Sequence, residues 1–345
     1  MAGRQPTVLI TGSAGFIGGY LVAEFLARGY NVIGVDNFSK YGQVAKSYDD
    51  HPRYTLVAGD ARDTALTTRL LASCDHFVAG AAMIGGISYF HAYPYDLLAT
   101  NERIIASSCD AAIAARREGR LKKVTYVSSS MVFESTRTWP SAEGQEREVP
   151  PPQSSYGFQK LAVEYFARAA HDQYQLPYTI VRPFNCVGIG ERRALGDAEI
   201  LSGNVRLAMS HVVPDLVQKV IKGQDPVHIL GDGSQVRHYT YGGDLARGIA
   251  DAVEHPGAMN EDFNLSTAES TTVLELAELI WRKIRGPGVP LRVASDDAFP
   301  HDVQRRVPST DKAKRLLGYE ATTSLSAMLD EVIPWIRAAI EAGTL

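Results

Sequence analysis

Cysteine is scarce in this chain. Cys74, Cys109 and Cys186 are the whole complement of 345 residues, and they are widely spaced and odd in number. That excludes a disulfide-stapled secreted framework, and the lack of any CxxC pair excludes the common structural zinc sites. Long apolar runs are missing too, since none approaches the roughly 20 residues that span a bilayer. No charge surplus exists: 35 Lys and Arg stand against 39 Asp and Glu, for a net charge of −4. Such a chain has no general attraction for nucleic acid or an anionic membrane. Its start lacks the basic flank, apolar stretch and small-residue cleavage site of an export signal. The expectation is a soluble cytoplasmic protein without metal, in which any bound phosphate is met by local groups.

What the sequence does have is alternation. Short β-branched runs at 7–10, 31–35, 54–58, 76–79, 123–128 and 178–181 read as strands. Helical patterns at 17–28, 64–72, 104–117 and 156–174 fall between them. This is the rhythm of βαβ units and a doubly wound parallel α/β sheet, a Rossmann architecture. After Pro183 the rhythm breaks. A stretch rich in glycine and charge, 188–210, reads as a functional loop, and a helix is expected near Pro214. Further helices are expected at 241–254, 273–285, 310–317 and 325–342. The division that follows is a cofactor domain from 1–184 plus about 241–264, and a smaller α/β substrate lobe from about 185–240 plus 265–345.

The segment Thr11-Gly12-Ser13-Ala14-Gly15-Phe16-Ile17-Gly18 lies between the first strand and the first helix. There Gly12 permits a tight turn, Gly15 lets backbone approach a pyrophosphate, and Gly18 permits close packing of helix on sheet, while the free helix amides face the phosphates. Asp36, at the end of the second strand, is spaced to accept a ribose 2′-hydroxyl and to repel a 2′-phosphate, so NAD is the expected cofactor. Asp60 ends the third strand and is a candidate for the adenine amino group.

Tyr156 and Lys160 stand four apart, on one helix face. A lysine beside a tyrosine favours phenolate, which suits Tyr156 to act as a base. One strand–helix unit earlier, Ser128, Ser129 and Ser130 end a strand at the carboxyl edge of the sheet, where ligands of such folds bind. Ser129 and Ser130 are the candidates to share a proton with Tyr156.

Together these residues resemble the extended short-chain dehydrogenase/reductases that act on nucleotide sugars, and the resemblance covers essentially the whole chain. It implies a cofactor shell of Gly12, Gly15, Phe16, Ile17, Gly18, Asp36, Asn37, Asp60, Ala61, Ala81 and Asn101, with Tyr156 and Lys160. It also implies a substrate shell of Met83, Gly85, Ser129, Asn185, His211, Val212, Arg237 and one of Arg305 and Arg306, with Arg305 taken first. His238 departs from the pattern, because the family carries an Asp there. The resemblance further implies a homodimer formed through the central helices.

Within such a family the neighbours of the reactive hydroxyl decide the reaction. A 4,6-dehydratase calls for an Asp-Glu pair where this chain has Ser130 and Met131, a 3,5-epimerase for a Cys at Met131, and a decarboxylase for a Glu nearby. A thioether carries no proton, which leaves the simplest cycle, inversion at C4 of a nucleoside diphosphate hexose or hexuronate. Uridine is favoured over guanosine on frequency alone. The alternatives are a 3,5- or 5-epimerase using His211, a dehydratase, and, from another class, a non-catalytic NAD-binding sensor.

Overall fold

The computed structural model describes residues 4–84, 92–195, 200–207, 211–297 and 303–345. Thr7–Thr11 (β1), buried at every position, leads through the glycine turn into Phe16–Ala27 (α1). Asn31–Asp36 (β2), Tyr54–Ala58 (β3), Thr64–Leu71 (α2) and His76–Ala79 (β4) follow. Pro94–Glu118 (α3) is ten residues longer at its start than the sequence pattern suggests. Its apolar face begins at Leu97, with Pro94 in the first turn, where a missing N–H costs nothing. Lys123–Val127 (β5), Ser155–Tyr174 (α4) and Tyr178–Pro183 (β6) complete the alternation.

Much later in the chain, Gly242–Glu254 (α5) and Glu261–Leu265 (β7) return to the same sheet. The seven parallel strands lie in the order β7-β6-β5-β4-β1-β2-β3. The order reverses between β1 and β4, which opens a crevice at the carboxyl ends of the strands. One apolar cluster joins one face of the sheet to α1 and α5 through Leu21, Val22, Phe25, Leu245 and Ile249. Ala313 and Tyr319 from the C-terminal stretch also pack there. A second cluster covers the other face with Ile105, Cys109 and Ala112 of α3 and Val163 and Ala167 of α4.

A separate apolar cluster builds the second lobe around Val212–Ile221 (α6), Val227–Leu230 (β8), Val273–Arg285 (α7) and Leu325–Glu341 (α8). The glycine- and charge-rich stretch expected to be a loop contains an antiparallel hairpin, Ile200–Ser202 with Val205–Leu207. Three-residue strands are too short to leave a readable alternation.

Two packing features set the geometry of the crevice. Arg182 is fully buried on β6 and donates to Glu164 of α4 through Nε and Nη2, each at 2.7 Å, and to Asp262 of β7, also at 2.7 Å. Buried ionic groups add little net stability but hold geometry when every partner is present. Helix α4 is thereby tied to the sheet. Tyr20 of α1 marks the seam between the lobes. Its hydroxyl accepts from the Ile189 amide at 2.9 Å, and its ring packs edge-on against Tyr241 at 5.7 Å. A Cβ at Gly188 would lie 2.2 Å from the Tyr20 hydroxyl, and one at Gly242 would lie 2.5 Å from the ring. No helix among the described residues is long and apolar enough to cross a membrane.

Candidate active site

A cavity of about 1130 Å³ runs from the glycine turn, past the ends of β1, β4 and β5, to the second lobe. At the sheet end, Gly12 has φ of +77°, in the left-handed region that favours glycine. A Cβ at Gly18 would lie 2.0 Å from the Gly12 carbonyl oxygen, so α1 could not start so close to the turn with any larger residue. Gly15 precedes the helix with extended backbone and no side-chain cap, which leaves the first-turn amides to a ligand. Asp36 supports the turn from β2: Oδ2 accepts from the Ala14 amide at 3.0 Å and Oδ1 from the Phe38 amide at 2.8 Å. Each oxygen keeps a lone pair for a ribose hydroxyl. These features form a cradle for a dinucleotide pyrophosphate and fit NAD.

Phe16, Ile17, Asn37, Asp60, Ala61 and Ala81 all line the same end. Asp60 accepts from Arg62, Nη2 at 2.7 Å and Nε at 3.0 Å, and from Asn37 at 3.2 Å. The guanidinium pulls its carboxyl down to about 2. Asn101 corrects an expectation, because it does not line the cavity. It is buried, its Oδ1 accepts from the Met83 amide at 2.7 Å, and its Nδ2 donates to the Met83 carbonyl at 2.9 Å. The amide that was to hold cofactor instead pins the loop that carries Met83 into the cavity. Gly85 lies outside the described residues.

Tyr156 and Lys160 enter the middle of the cavity from the first turns of α4. Ser154 caps that helix by accepting from the Gly157 amide at 3.0 Å. Ser154 is in turn gripped by Glu134, which accepts from its amide at 3.0 Å and from its hydroxyl. Sequence reasoning missed Glu134; its place after the serine run was the only signal. The three serines separate by partner. Ser128 donates to Glu164 at 2.7 Å and serves the helix. Ser129 accepts from the Met131 amide at 3.2 Å, and its hydroxyl hydrogen-bonds the Tyr156 phenol. Ser130 lines the cavity beside it.

Burial pushes the Tyr156 phenol above its ordinary value, while the Ser129 hydrogen bond and the Arg306 charge pull it down. Lys160 stands one helical turn further along α4. Its Nζ donates to the Val127 carbonyl at 2.9 Å and lies 6.0 Å from the Tyr156 ring centre. Burial brings its own value down to about 8, because a desolvated ammonium is less stable. Around the phenol, Met131 packs with Leu97, Ile84 and Val303. The position where an acid would serve elimination or carbon protonation is filled by apolar surface.

Asn185, His211, Val212 and Arg237 line the cavity toward the second lobe, and Met83 lines it from the loop after β4. Asn185 Nδ2 donates to the His238 carbonyl at 3.2 Å, and His238 itself is buried with Nδ1 on the Thr267 carbonyl at 2.9 Å. Arg237 Nη1 donates to the Val236 carbonyl at 3.0 Å, which fixes the guanidinium at the wall. His211 Nδ1 meets the buried Glu191 carboxylate at 2.6 Å.

Arg305 is a second correction. Its guanidinium stacks over the Trp139 ring at 5.3 Å, and it is exposed outside the cavity. Its neighbour Arg306 lines the cavity instead. The Arg306 amide donates to the Val236 carbonyl at 3.1 Å, a bridge that sets which of the two side chains turns inward. Two cations, Arg237 and Arg306, thus line the cavity, and guanidinium groups are suited to a diphosphate.

The comparisons agree with this geometry. Residues 8–266 match the model of the NAD dependent epimerase/dehydratase family. A UDP-glucose 4-epimerase of Halalkalibacterium halodurans is 27% identical over 346 residues, covering 95% of either chain. A putative GDP-L-fucose synthase of Oryza sativa subsp. japonica is 28% identical over 256 residues, covering 72% of this chain and 68% of that one. Among solved structures, a UDP-glucose 4-epimerase from Thermotoga maritima superposes with a TM-score of 0.79 at 27% identity, covering 97% of this chain and 99% of that one. A dTDP-glucose 4,6-dehydratase from Streptomyces venezuelae gives 0.80 at 25% identity, covering 97% of each. The chain is therefore an enzyme of the NAD dependent epimerase/dehydratase family, with NAD as its cofactor.

Proposed function

We propose that the protein inverts C4 of a nucleoside diphosphate hexose or hexuronate through a transient 4-keto sugar. The observation that carries this reading is the Tyr156–Ser129 hydroxyl pair under the apolar cover of Met131 and Leu97. It can move a hydroxyl proton, and the cover offers no acid for elimination. When bound, NAD supplies the hydride acceptor and donor that the chemistry requires. Tyr156 takes the proton from the sugar hydroxyl, Ser129 holds the same oxygen, and Lys160 keeps a positive charge at the end of β5. Arg237 and Arg306 grip the diphosphate, and Asn185 and Met83 bound the sugar. In this reading residues 1–184 with about 241–264 serve the cofactor, and about 185–240 with 265–345 serve the nucleotide sugar, apart from the stretch around Ala313 and Tyr319 that packs on the sheet.

A specific observation favours a second reading. The His211–Glu191 pair at 2.6 Å orients an imidazole in the cavity wall, and an oriented histidine can abstract a proton beside a 4-ketone. Product NMR after turnover of a nucleotide-sugar panel in deuterated water separates the two. Retention of every carbon-bound hydrogen is expected; deuterium at C3 or C5 transfers the assignment to a 3,5-epimerase.

We also propose a cytoplasmic homodimer that pairs α3 and α4. These helices expose Tyr95, Phe158 and Tyr165 at 74%, 44% and 58%. Sedimentation equilibrium checks this, and a monomer at micromolar concentration rejects it.

A further inference from the structure

The second-lobe end of the cavity carries charged side chains that neither the glycine turn nor the Tyr156 group uses. Asp215 in the first turn of α6, Lys219 one turn later, His228 on β8 and Asp296 of the strand Val293–Asp296 all line it. Most of their bonding capacity is met within the protein. Asp296 accepts from Ser202 at 2.7 Å and faces His228 Nδ1 at 2.6 Å. Lys219 Nζ donates to the His228 carbonyl at 2.8 Å and pairs with Asp215 Oδ2 at 3.0 Å.

Asp215 Oδ1 is the exception. It is buried and has no hydrogen-bond partner. Lys219 compensates the carboxylate only in part, since burial first and the Asp296 charge second raise it to about 6. A buried polar atom left open in a cavity-lining residue calls for a partner from the ligand. It wants donors, beside an ammonium that can serve an acceptor.

We propose that Asp215 and Lys219 read the base of the nucleotide, and that this base is guanine; the inference rests on the nucleotide-sugar reading above. Guanine offers two adjacent donors, N1–H and the 2-amino group, next to the O6 acceptor, so one carboxylate can take both donors while an ammonium serves O6. Uracil and thymine offer one N–H between two carbonyls, and a carboxylate set against that edge faces a carbonyl oxygen. Cytosine and adenine offer one amino group beside a ring acceptor. Guanine alone matches donor for acceptor, and the proposal departs here from the expectation of uridine, which the similar UDP-glucose 4-epimerases favour.

The test is isothermal titration of the full NAD-loaded chain with GDP, IDP, UDP, dTDP, CDP and ADP. GDP is expected to bind about tenfold or more tightly than UDP and dTDP. IDP, which lacks the 2-amino group, is expected to bind about tenfold more weakly than GDP. Asp215→Asn brings GDP within about threefold of UDP, with NAD affinity unchanged as the check on folding. If that variant fails to fold, the comparison of IDP with GDP on the unaltered chain decides. UDP or dTDP binding as tightly as GDP, or IDP matching GDP, overturns the guanine assignment and leaves the nucleotide-sugar reading standing. Failure of every nucleoside diphosphate to bind overturns both.

Discussion

Replacing Lys160 with methionine separates what the ammonium does for catalysis from what its burial costs the fold. The residue is 5% exposed, and burial brings its pKa from 10.5 to about 8. At about 1.4 kcal/mol per pKa unit, that gap disfavours the folded protein by roughly 3 kcal/mol wherever both states hold the proton. Against this stands the 2.9 Å bond to the Val127 carbonyl, whose loss costs about 1 kcal/mol. Methionine fills a similar volume without charge. Without NAD, Lys160→Met is therefore expected to be more stable than the parent at pH 7 by about 2 kcal/mol, and inactive.

The pH dependence follows from the same two values. Between pH 8 and 10.5 the unfolded lysine keeps a proton that the folded one has lost, so the parent gains stability as pH rises and the penalty fades. By about pH 10 the two proteins should converge. Urea unfolding at pH 7 and pH 10, with turnover measured at pH 7, is the assay. A variant less stable than the parent at pH 7, or a difference that stays constant with pH, refutes the reasoning.

Other substitutions test the remaining assignments. Ser129→Ala is expected to lower kcat by about a hundredfold, whereas Ser128→Ala leaves kcat within about threefold and costs about 1 kcal/mol of stability, as steady-state kinetics and urea melts will report. Arg306→Ala should raise KM for the nucleotide sugar about tenfold or more through the lost charge-assisted contact; Arg305→Ala should leave KM within about twofold, and equal effects would undo the distinction drawn from the Trp139 stack. Gly18→Ala forces a Cβ against the Gly12 carbonyl and should weaken NAD about tenfold or more, measured by fluorescence titration; unchanged affinity would mean that the close approach of α1 is not needed.

Local signals were readable in the sequence and long-range ones were not. The glycine turn, Asp36 and the Tyr156/Lys160 spacing could be found because each depends on neighbours in the chain: a strand end, a helix start, a helical period. Asn101 was located but misjudged, since its partner Met83 is brought to it by the fold. The choice between Arg305 and Arg306 turns on a backbone bridge to Val236, far back in the chain, which no local pattern records. The surroundings of Tyr156 are long-range for a related reason: Lys160 is close along the helix, with Nζ on the Val127 carbonyl, whereas Ser129 and Arg306, which pull the phenol down, are brought to it by the fold. Asp215 carries no local signal beyond an acid in a first helical turn, because its neighbours on β8 and the strand Val293–Asp296 are brought to it by the fold.

Tyr20 belongs by sequence to the cofactor half, two residues after the last glycine of the turn, yet its ring occupies the space that side chains at positions 188 and 242 would need. Those two positions flank the excursion of the chain into the second lobe. The three residues therefore form one joint, and they must be inherited together. A chimaera that receives its sugar-binding half from a relative, with the seam cut at the ends of that half, would divide the joint and set a foreign side chain against the Tyr20 ring. Grafting residue 20 along with the transplanted half keeps the joint whole, although it lies far upstream of the cut.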